Sequence, residues 1–274
     1  MPSTRYNVVL LKPPGYSHSD AFLEVCQLLH ASFESLGYPT SFLVNELVAD
    51  AINVVVGYQL AIDPGVFAGF RIIFYQLEQL FENGSGFTPR RLETLKCAEQ
   101  IWDYTPGNVA FLEEKGIKDI RVLPLGYHEK LRTIAPAAKE IDVLFYGSLN
   151  GRRRKILDAL MQRCRVRAVF GRYGQERDAL IARSKIILNI HRYEAKILEQ
   201  VRISYLLNNG CFVISEDSAH NPLEGMIVAS PYEQLVETCL AYLADEPGRI
   251  RFAEEGQRLF RRRPMTEFLR AILP

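Results

Sequence analysis

Short apolar runs alternate along this chain with amphipathic stretches, and most of the runs end in small or polar residues. That alternation predicts parallel strands separated by helices, the pattern of a doubly wound α/β sheet. Asn7–Leu11 reads as the first strand. The next stretch, Asp20–Leu36, has the spacing of an amphipathic helix, with Ser19 or Asp20 as its cap and Gly37 as its stop. Strands follow at Phe42–Val44, Asn53–Val56, Arg71–Tyr75, Ile101–Tyr104 and Arg121–Leu125. Helices are expected at Pro89–Ala98 and at Pro106–Lys115, the second with proline in its first turn and Gly116 just past its end. These elements make a first domain over residues 1–128.

His128–Ile141 lacks strong periodicity and reads as a linker. The second half predicts strands near 143, 167, 186, 212 and 226, with helices over about 152–163, 175–183, 196–208 and 231–244. A second domain therefore spans 140–264. Pro247–Leu273 reads as two helices broken at Arg263–Pro264.

The densest chemistry lies between Phe145 and Glu216. A strand ends in Gly147–Ser148 and is followed by Arg152, Arg153 and Arg154. A second ends at Gly171, a third in Asn189–Ile190–His191, and a fourth in Ser215–Glu216. Carboxyl ends of parallel strands are where open α/β sheets bind ligands, and a helix start there offers free N–H groups to an anion. Arg152 and Arg153 open the helix after Gly147–Ser148 and are expected to converge on a diphosphate. Lys196, Glu199 and Arg202 are spaced by three, which puts them on one helix face, either ion-paired together or turned to a ligand. His191 is expected to face the ligand, and Glu216 to accept from sugar or ribose hydroxyls.

This order resembles the C-terminal half of GT-B glycosyltransferases. The likeness rests on Gly147–Ser148 followed by the arginine pair, and on Arg202 standing eight residues before Gly210. The family pattern has glutamate where this chain has Tyr205, which is expected to stack or hydrogen-bond in its place. The resemblance implies an α/β fold of two Rossmann-like domains facing across a cleft. It implies a nucleotide-sugar site in the second domain, an acceptor side on the first, and a last helix, about 265–274, packed back on the first domain. It also implies a base in the loop after the first strand, where His18 and Asp20 are candidates; an imidazole with a pKa near 6.5 suits proton transfer. Gly15, Tyr16, Gln76, Glu78, Tyr104 and Asn108, at strand ends or in that loop, would line the acceptor side. Ordinary turn chemistry is their alternative.

Composition narrows the reading. Lys and Arg total 33 against 32 Asp and Glu, so there is no global basic field and nucleic acid is not the expected partner. Five scattered cysteines show no paired or zinc-type spacing, and no metal is expected. Neither a leader pattern nor a run near the ~20 apolar residues of a spanning helix is present, so the expected place is the cytoplasm. A lipid-linked acceptor would bring the chain to a membrane surface. With no Gly-x-Gly-x-x-Gly after the first strand and no P-loop, dinucleotide oxidoreductases and P-loop NTPases are disfavoured. The expected activity is metal-independent sugar transfer from a nucleotide sugar, its co-substrate, to a hydroxyl of a saccharide, lipid-linked glycan or protein. A sugar-nucleotide epimerase and a non-catalytic nucleotide- or carbohydrate-binding scaffold are the alternatives.

Overall fold

The computed structural model describes residues 4–61, 63–81 and 87–273. The chain forms two compact units, one of Met1–Lys130 with Pro264–Pro274 and one of Leu131–Arg263.

In the first unit, β1 (Tyr6–Leu10), β2 (Thr40–Val44), β3 (Ile52–Val56), β4 (Arg71–Gln76), β5 (Gln100–Asp103) and β6 (Ile120–Val122) form a parallel sheet in the order β2-β1-β3-β4-β5-β6. The apolar runs are unbroken because helices cover both faces: every residue of β1 and of β3 is buried. β1 carries one buried polar side chain, Asn7, matched by Asn53 on β3, which accepts from it at 3.0 Å. Asn53 also accepts from Val48 N–H and donates to Val48 and Ala51 carbonyls, so the pair fixes the turn that leads into β3. The predicted first helix differs at its start. Residues Ser17–Phe22 form a 3-10 turn, and α1 runs Leu23–Ser35 with Phe22 at its N-cap and no side-chain cap. Asp20 does not cap it, because Lys12 holds its carboxylate at 2.6 Å. α2 (Pro89–Leu95) and α3 (Pro106–Glu114) both begin at prolines. The last helix, here labelled α9 (Met265–Ile272), packs on α1, its Met265 N–H donating to Tyr127 O and its Met265 and Leu269 fully buried.

The second unit repeats the topology. Its strands β7 (Ile141–Tyr146), β8 (Val166–Val169), β9 (Ser184–Asn189), β10 (Val213–Glu216) and β11 (Val228–Ser230) lie in the order β11-β10-β9-β7-β8, all parallel. Between them run α4 (Gly151–Met161), α5 (Gly174–Ala182) and α6 (Gln200–Asn208), and α7 (Leu235–Ala244) and α8 (Glu246–Arg261) follow the last strand. Val143, Phe145, Ile186, Leu188 and Ile214 form the core with Ile156 and Leu160 of α4. Numbered within each unit, the sheets have the orders 2-1-3-4-5-6 and 2-1-3-4-5, so the direction of winding reverses between β1 and β3 and between β7 and β9. A crevice opens at such a reversal, at the carboxyl ends of the two strands.

Two glycines in helices carry opposite expectations. A Cβ on Gly256 of α8 would lie 2.5 Å from the backbone oxygen of Met226, whereas one on Gly107 of α3 meets nothing within 4 Å. Helix propensity alone favours alanine at both by up to ~1 kcal/mol. Gly107→Ala is therefore expected to stabilise the protein by about 0.5–1 kcal/mol, and Gly256→Ala to destabilise it by about 1–3 kcal/mol through overpacking. Urea unfolding of both variants measures this, and stabilisation by Gly256→Ala would show that the α8 contact yields freely.

Candidate functional site

The second winding reversal gathers the polar residues of the second half. β7 ends at Tyr146 and turns through Gly147, whose φ of +150° lies in glycine's range. A Cβ there would meet Arg202 Nη2 at 3.0 Å and Arg153 Nη1 at 3.7 Å, so the glycine lets two guanidinium groups close on the strand end. Asn150 caps α4 by accepting from Arg153 N–H at 3.0 Å.

At the end of β9, Asn189 is the hinge of the group. Its amide donates to Glu199 Oε2 at 2.8 Å and to Ser215 Oγ at 3.0 Å, and its carbonyl oxygen accepts from Arg202 Nη1 at 2.9 Å. His191, fully buried, sets Nδ1 2.9 Å from Glu199 Oε2 and Nε2 3.1 Å from the carbonyl oxygen of Asp217. Among the described residues His191 Nδ1 and Glu199 Oε1 are buried atoms without hydrogen bonds. Burial pushes the Glu199 carboxyl up, but His191, Arg202 and the Asn189 amide outweigh it and hold the group at about 2. Glu216, at the end of β10, is fully buried. It takes a two-pronged ion pair from Arg152 and the N–H of His191 at 3.1 Å. Here too burial works upward and is overcome, chiefly by Arg152, so the carboxyl sits below its usual range.

The three arginines of α4 separate by role. Arg153 is buried, donating to Ile190 O at 2.9 and 2.7 Å and to Ser148 O at 2.9 Å. Its guanidinium is spent on tying β7 to β9, which corrects its expected place on a diphosphate. Burial, and then the neighbouring Arg202, bring its pKa down to about 10. Arg152 is held by Glu216 and lies 4.0 Å over the Tyr232 ring. That pairing also corrects the expectation of Glu216 as an open acceptor for hydroxyls. Arg154 is exposed.

The expected place of Lys196 on the helix face is corrected as well. It lies outside α6, in the preceding loop at φ +48°, because the chain turns inward to bury Glu199 and the helix starts only at Gln200. Its Nζ is 3.6 Å from both Glu216 Oε1 and Asp217 Oδ1. Arg202 remains on α6, 4.9 Å over the Tyr146 ring, with Nη1 on Asn189 and no protein acceptor for Nε or Nη2 among the described residues. Tyr205 turns away from the group: its hydroxyl meets Asp178 Oδ2 at 2.8 Å and Thr133 Oγ1 at 2.9 Å, and its ring stacks under Arg177. Gly171 is exposed beyond β8 and no contact joins it to the others. Sequence reasoning missed Tyr146, Arg192, Asp217 and Tyr232, all of which touch the group; Asp217 and Arg192 stand directly beside residues it did name. Arg152, Arg153, Arg192, Lys196 and Arg202 face Glu199, Glu216, Asp217 and the more distant Glu194, an excess of one positive charge.

The first unit's carboxyl edge is different. Gly15 and Tyr16 are exposed in the loop after β1, and His18 lies edge-on to Tyr16 with ring centroids 5.3 Å apart. Gln76, Tyr104 and Asn108 are buried instead of lining a surface. Gln76 and Asn108 close around Asp103, whose oxygens accept from Gln76 at 3.2 Å, Asn108 at 3.1 Å and Thr105 N–H at 2.9 Å. Their expected acceptor-side role is therefore replaced by a structural one. Of the strand-end residues named from the sequence, Glu78 is partly buried, and burial pushes its carboxyl above the ordinary value. A hollow of about 570 Å³ opens at the opposite, amino-terminal edge of this sheet, between Tyr6, Trp102 and the end of α9. It is set apart from the strand carboxyl ends, and its Arg71 is paired with Glu99. Among the described residues no His, Cys, Asp or Glu cluster could hold a metal ion, and no helix is long and apolar enough to cross a membrane.

The chain matches no known family model. It is 32% identical over 165 residues to the uncharacterized protein L140 of Acanthamoeba polyphaga mimivirus, 53% of this chain and 51% of that one. With L138 of the same virus it shares 33% identity over 106 residues, 36% of this chain and 12% of L138. The chain thus spans about half or less of the curated relatives it matches. Among solved structures, an α-glucosyltransferase in complex with UDP and DNA superposes at a TM-score of 0.65 with 9% identity, over 98% of this chain and 100% of that one. HepE of Anabaena, in complex with UDP and glucose, does so at 0.61 with 11% identity over 98% of each chain. The fold of two parallel Rossmann-like sheets is therefore the fold of GT-B glycosyltransferases.

Glu199 makes a pH test of this group. Its folded carboxyl sits at about 2 against an ordinary 4.5, so the ionised form stabilises the fold above pH 4.5, and that contribution is lost as pH falls toward 2. Urea unfolding followed from about pH 5 down to about pH 2 is expected to show a steeper loss of stability for the native chain than for Glu199→Gln. Equal slopes would mean that the fold does not hold Glu199 ionised.

Proposed function

We propose that this protein is a glycosyltransferase that binds a nucleotide sugar at the β7/β9 reversal and transfers the sugar to a hydroxyl group. The observation that carries this reading is Arg202: a guanidinium aimed by Asn189 and seated against Gly147, with two of its nitrogens unbonded among the described residues, at the place where parallel sheets of this order bind phosphates. The N-terminus of α4 adds unbonded N–H groups, and Lys196, half exposed and 3.6 Å from its carboxylates, is near enough to shift to a ligand. Transfer expels a nucleoside diphosphate, whose developing charge needs fixed donors. Arg202, Lys196 and the helix start supply them from the protein itself, so the reading assigns neutralisation to these groups and needs no metal ion.

Asn189, His191 and Glu199 act behind the ligand. Glu199 holds His191 and, through Asn189, the angle of Arg202, while Arg153 and Glu216 lock the strand ends on which the donors stand. The solved structures of the same fold support the nucleotide class, since HepE and the α-glucosyltransferase are both seen with UDP. The acceptor, on this reading, is a saccharide, lipid-linked glycan or protein.

Calorimetric titration with UDP, GDP and dTDP tests the reading. One of them is expected to bind more tightly than pyrophosphate. Arg202→Ala should weaken it by about tenfold or more, the value of a charge-assisted hydrogen bond, while the exposed Arg154→Ala leaves it unchanged. If all three nucleotides fail to bind the native chain at millimolar concentration, the reading falls.

A further inference from the structure

His191 is fully buried at the second unit's carboxyl edge, so it touches no ligand itself, yet both of its ring nitrogens face oxygens. Nδ1 lies 2.9 Å from Glu199 Oε2, close enough for an ion pair. Nε2 lies 3.1 Å from the carbonyl oxygen of Asp217 and 3.0 Å from Ser218 Oγ. A carbonyl oxygen only accepts, so a hydrogen belongs on Nε2, and Ser218 Oγ can share it. A carboxylate also only accepts, and the Glu199 carboxyl is held at about 2 and so stays ionised. A bare nitrogen 2.9 Å away would set one lone pair against another, so a hydrogen belongs on Nδ1 as well. With hydrogens on both nitrogens the ring is an imidazolium.

The surroundings suit that charge. Two anions adjoin His191: Glu199, just before α6, and Glu216, at the end of β10, which accepts the His191 N–H at 3.1 Å. Asp217 offers its carbonyl oxygen, while its carboxylate faces Lys196. The neighbouring cations are engaged: Arg202 of α6 donates to Asn189, Arg152 of α4 is paired with Glu216, and Arg153 of α4 donates to the carbonyl oxygens of Ile190 and Ser148. A buried charge is tolerated when it is paired, and the oxygen facing Nδ1, Glu199 Oε2, also accepts from the Asn189 amide at 2.8 Å. Through that shared oxygen the ring steadies the amide that aims Arg202. Added to the five cations and four carboxylates of this edge, His191 raises the excess from one positive charge to two, which suits a diphosphate.

We propose that His191 is a positioning residue of the nucleotide site, held as an imidazolium by Glu199, and that its charge makes nucleotide binding depend on pH. The inference rests on the glycosyltransferase reading. As pH rises the ring gives one proton to water, and either loss undoes an attachment. Without the Nδ1 proton a lone pair faces Glu199, whose shared oxygen then no longer fixes Asn189 and the aim of Arg202. Without the Nε2 proton a lone pair faces the Asp217 carbonyl oxygen, and the turn that holds Lys196 is released. In both cases a positive charge leaves the neighbourhood of the diphosphate, so affinity for a nucleotide sugar falls as the proton is lost.

Nitrogen-15 spectra of the native chain read the two ring nitrogens directly. The chain has five histidines, and replacing His18, His30, His128 and His220 by Gln one at a time assigns the His191 signals by elimination. Hydrogens on both nitrogens are expected at about pH 6, with a single hydrogen in Glu199→Gln at the same pH. A native ring with one bare nitrogen, accepting from Ser218, would overturn the proposal. Calorimetric titration with UDP-, GDP- and dTDP-glucose, whose diphosphates do not titrate between about pH 5 and about pH 8.5, reads the consequence. The nucleotide sugar that binds is expected to weaken by about tenfold or more across that range. His191→Gln, which donates a hydrogen bond without charge, should bind about tenfold more weakly than the native chain at the acid end, with no pH dependence. A native affinity that stays level with pH, or a native fall that persists in His191→Gln, would sink the proposal and leave the glycosyltransferase reading standing. Should that variant not fold, the native spectra and the native pH profile decide. Failure of all three nucleotide sugars to bind the native chain overturns both.

Discussion

The carboxyl edge of the second sheet depends on one buried charge, that of Glu199. A carboxylate out of water is costly unless its lone pairs are met. Here the Asn189 amide hydrogen-bonds one carboxylate oxygen, and the His191 ring and two arginines close by balance the charge. The constraint reaches outward: Asn189 can receive Arg202 only while its amide faces Glu199, and His191 can present its backbone N–H to Glu216 only while its ring is held below. Removing one member would leave another uncompensated, and for this reason the group behaves as a unit.

Glycine is the second half of that constraint. Guanidinium groups cannot pack against a strand end through an intervening side chain, and the backbone of Gly147 lies at an angle that other residues rarely adopt. A parallel sheet buried on both faces has nowhere to place polar atoms except at its ends. The strand runs themselves are therefore apolar and the chemistry is compressed into the few residues past them: Gly147–Ser148 after β7, Asn189–His191 after β9 and Glu216–Asp217 after β10.

The same compression explains what could be read in the sequence. Burial on both faces writes strands such as β1, β3, β7 and β9 as unbroken apolar runs, and the polar residues that follow mark the ligand edge, so fold class and the neighbourhood of the group were legible. The partners were not. Lys196, Glu199 and Arg202 are spaced as a helix face, yet Glu199 turns inward and Lys196 takes a left-handed backbone, and periodicity does not reveal either. Arg152 and Arg153 look alike in sequence, but one meets a carboxylate and the other three carbonyl contacts because they point from α4 in different directions. Tyr205 has the expected spacing to Gly210, but Asp178 and Thr133, distant in sequence, decide where its hydroxyl goes.

Two sheets of one topology thus carry opposite chemistry. In the second unit burial would raise the carboxyls of Glu199 and Glu216, but their partners are cations or charge-bearing donors, and both groups end below the ordinary range. In the first unit the carboxyl of Asp103 is met by backbone N–H groups and the neutral amides of Gln76 and Asn108, and burial wins. Amides satisfy lone pairs without supplying charge, so they make a buried carboxyl tolerable yet leave it basic; guanidinium groups do the reverse. An edge of the second kind is therefore suited to holding a phosphate anion.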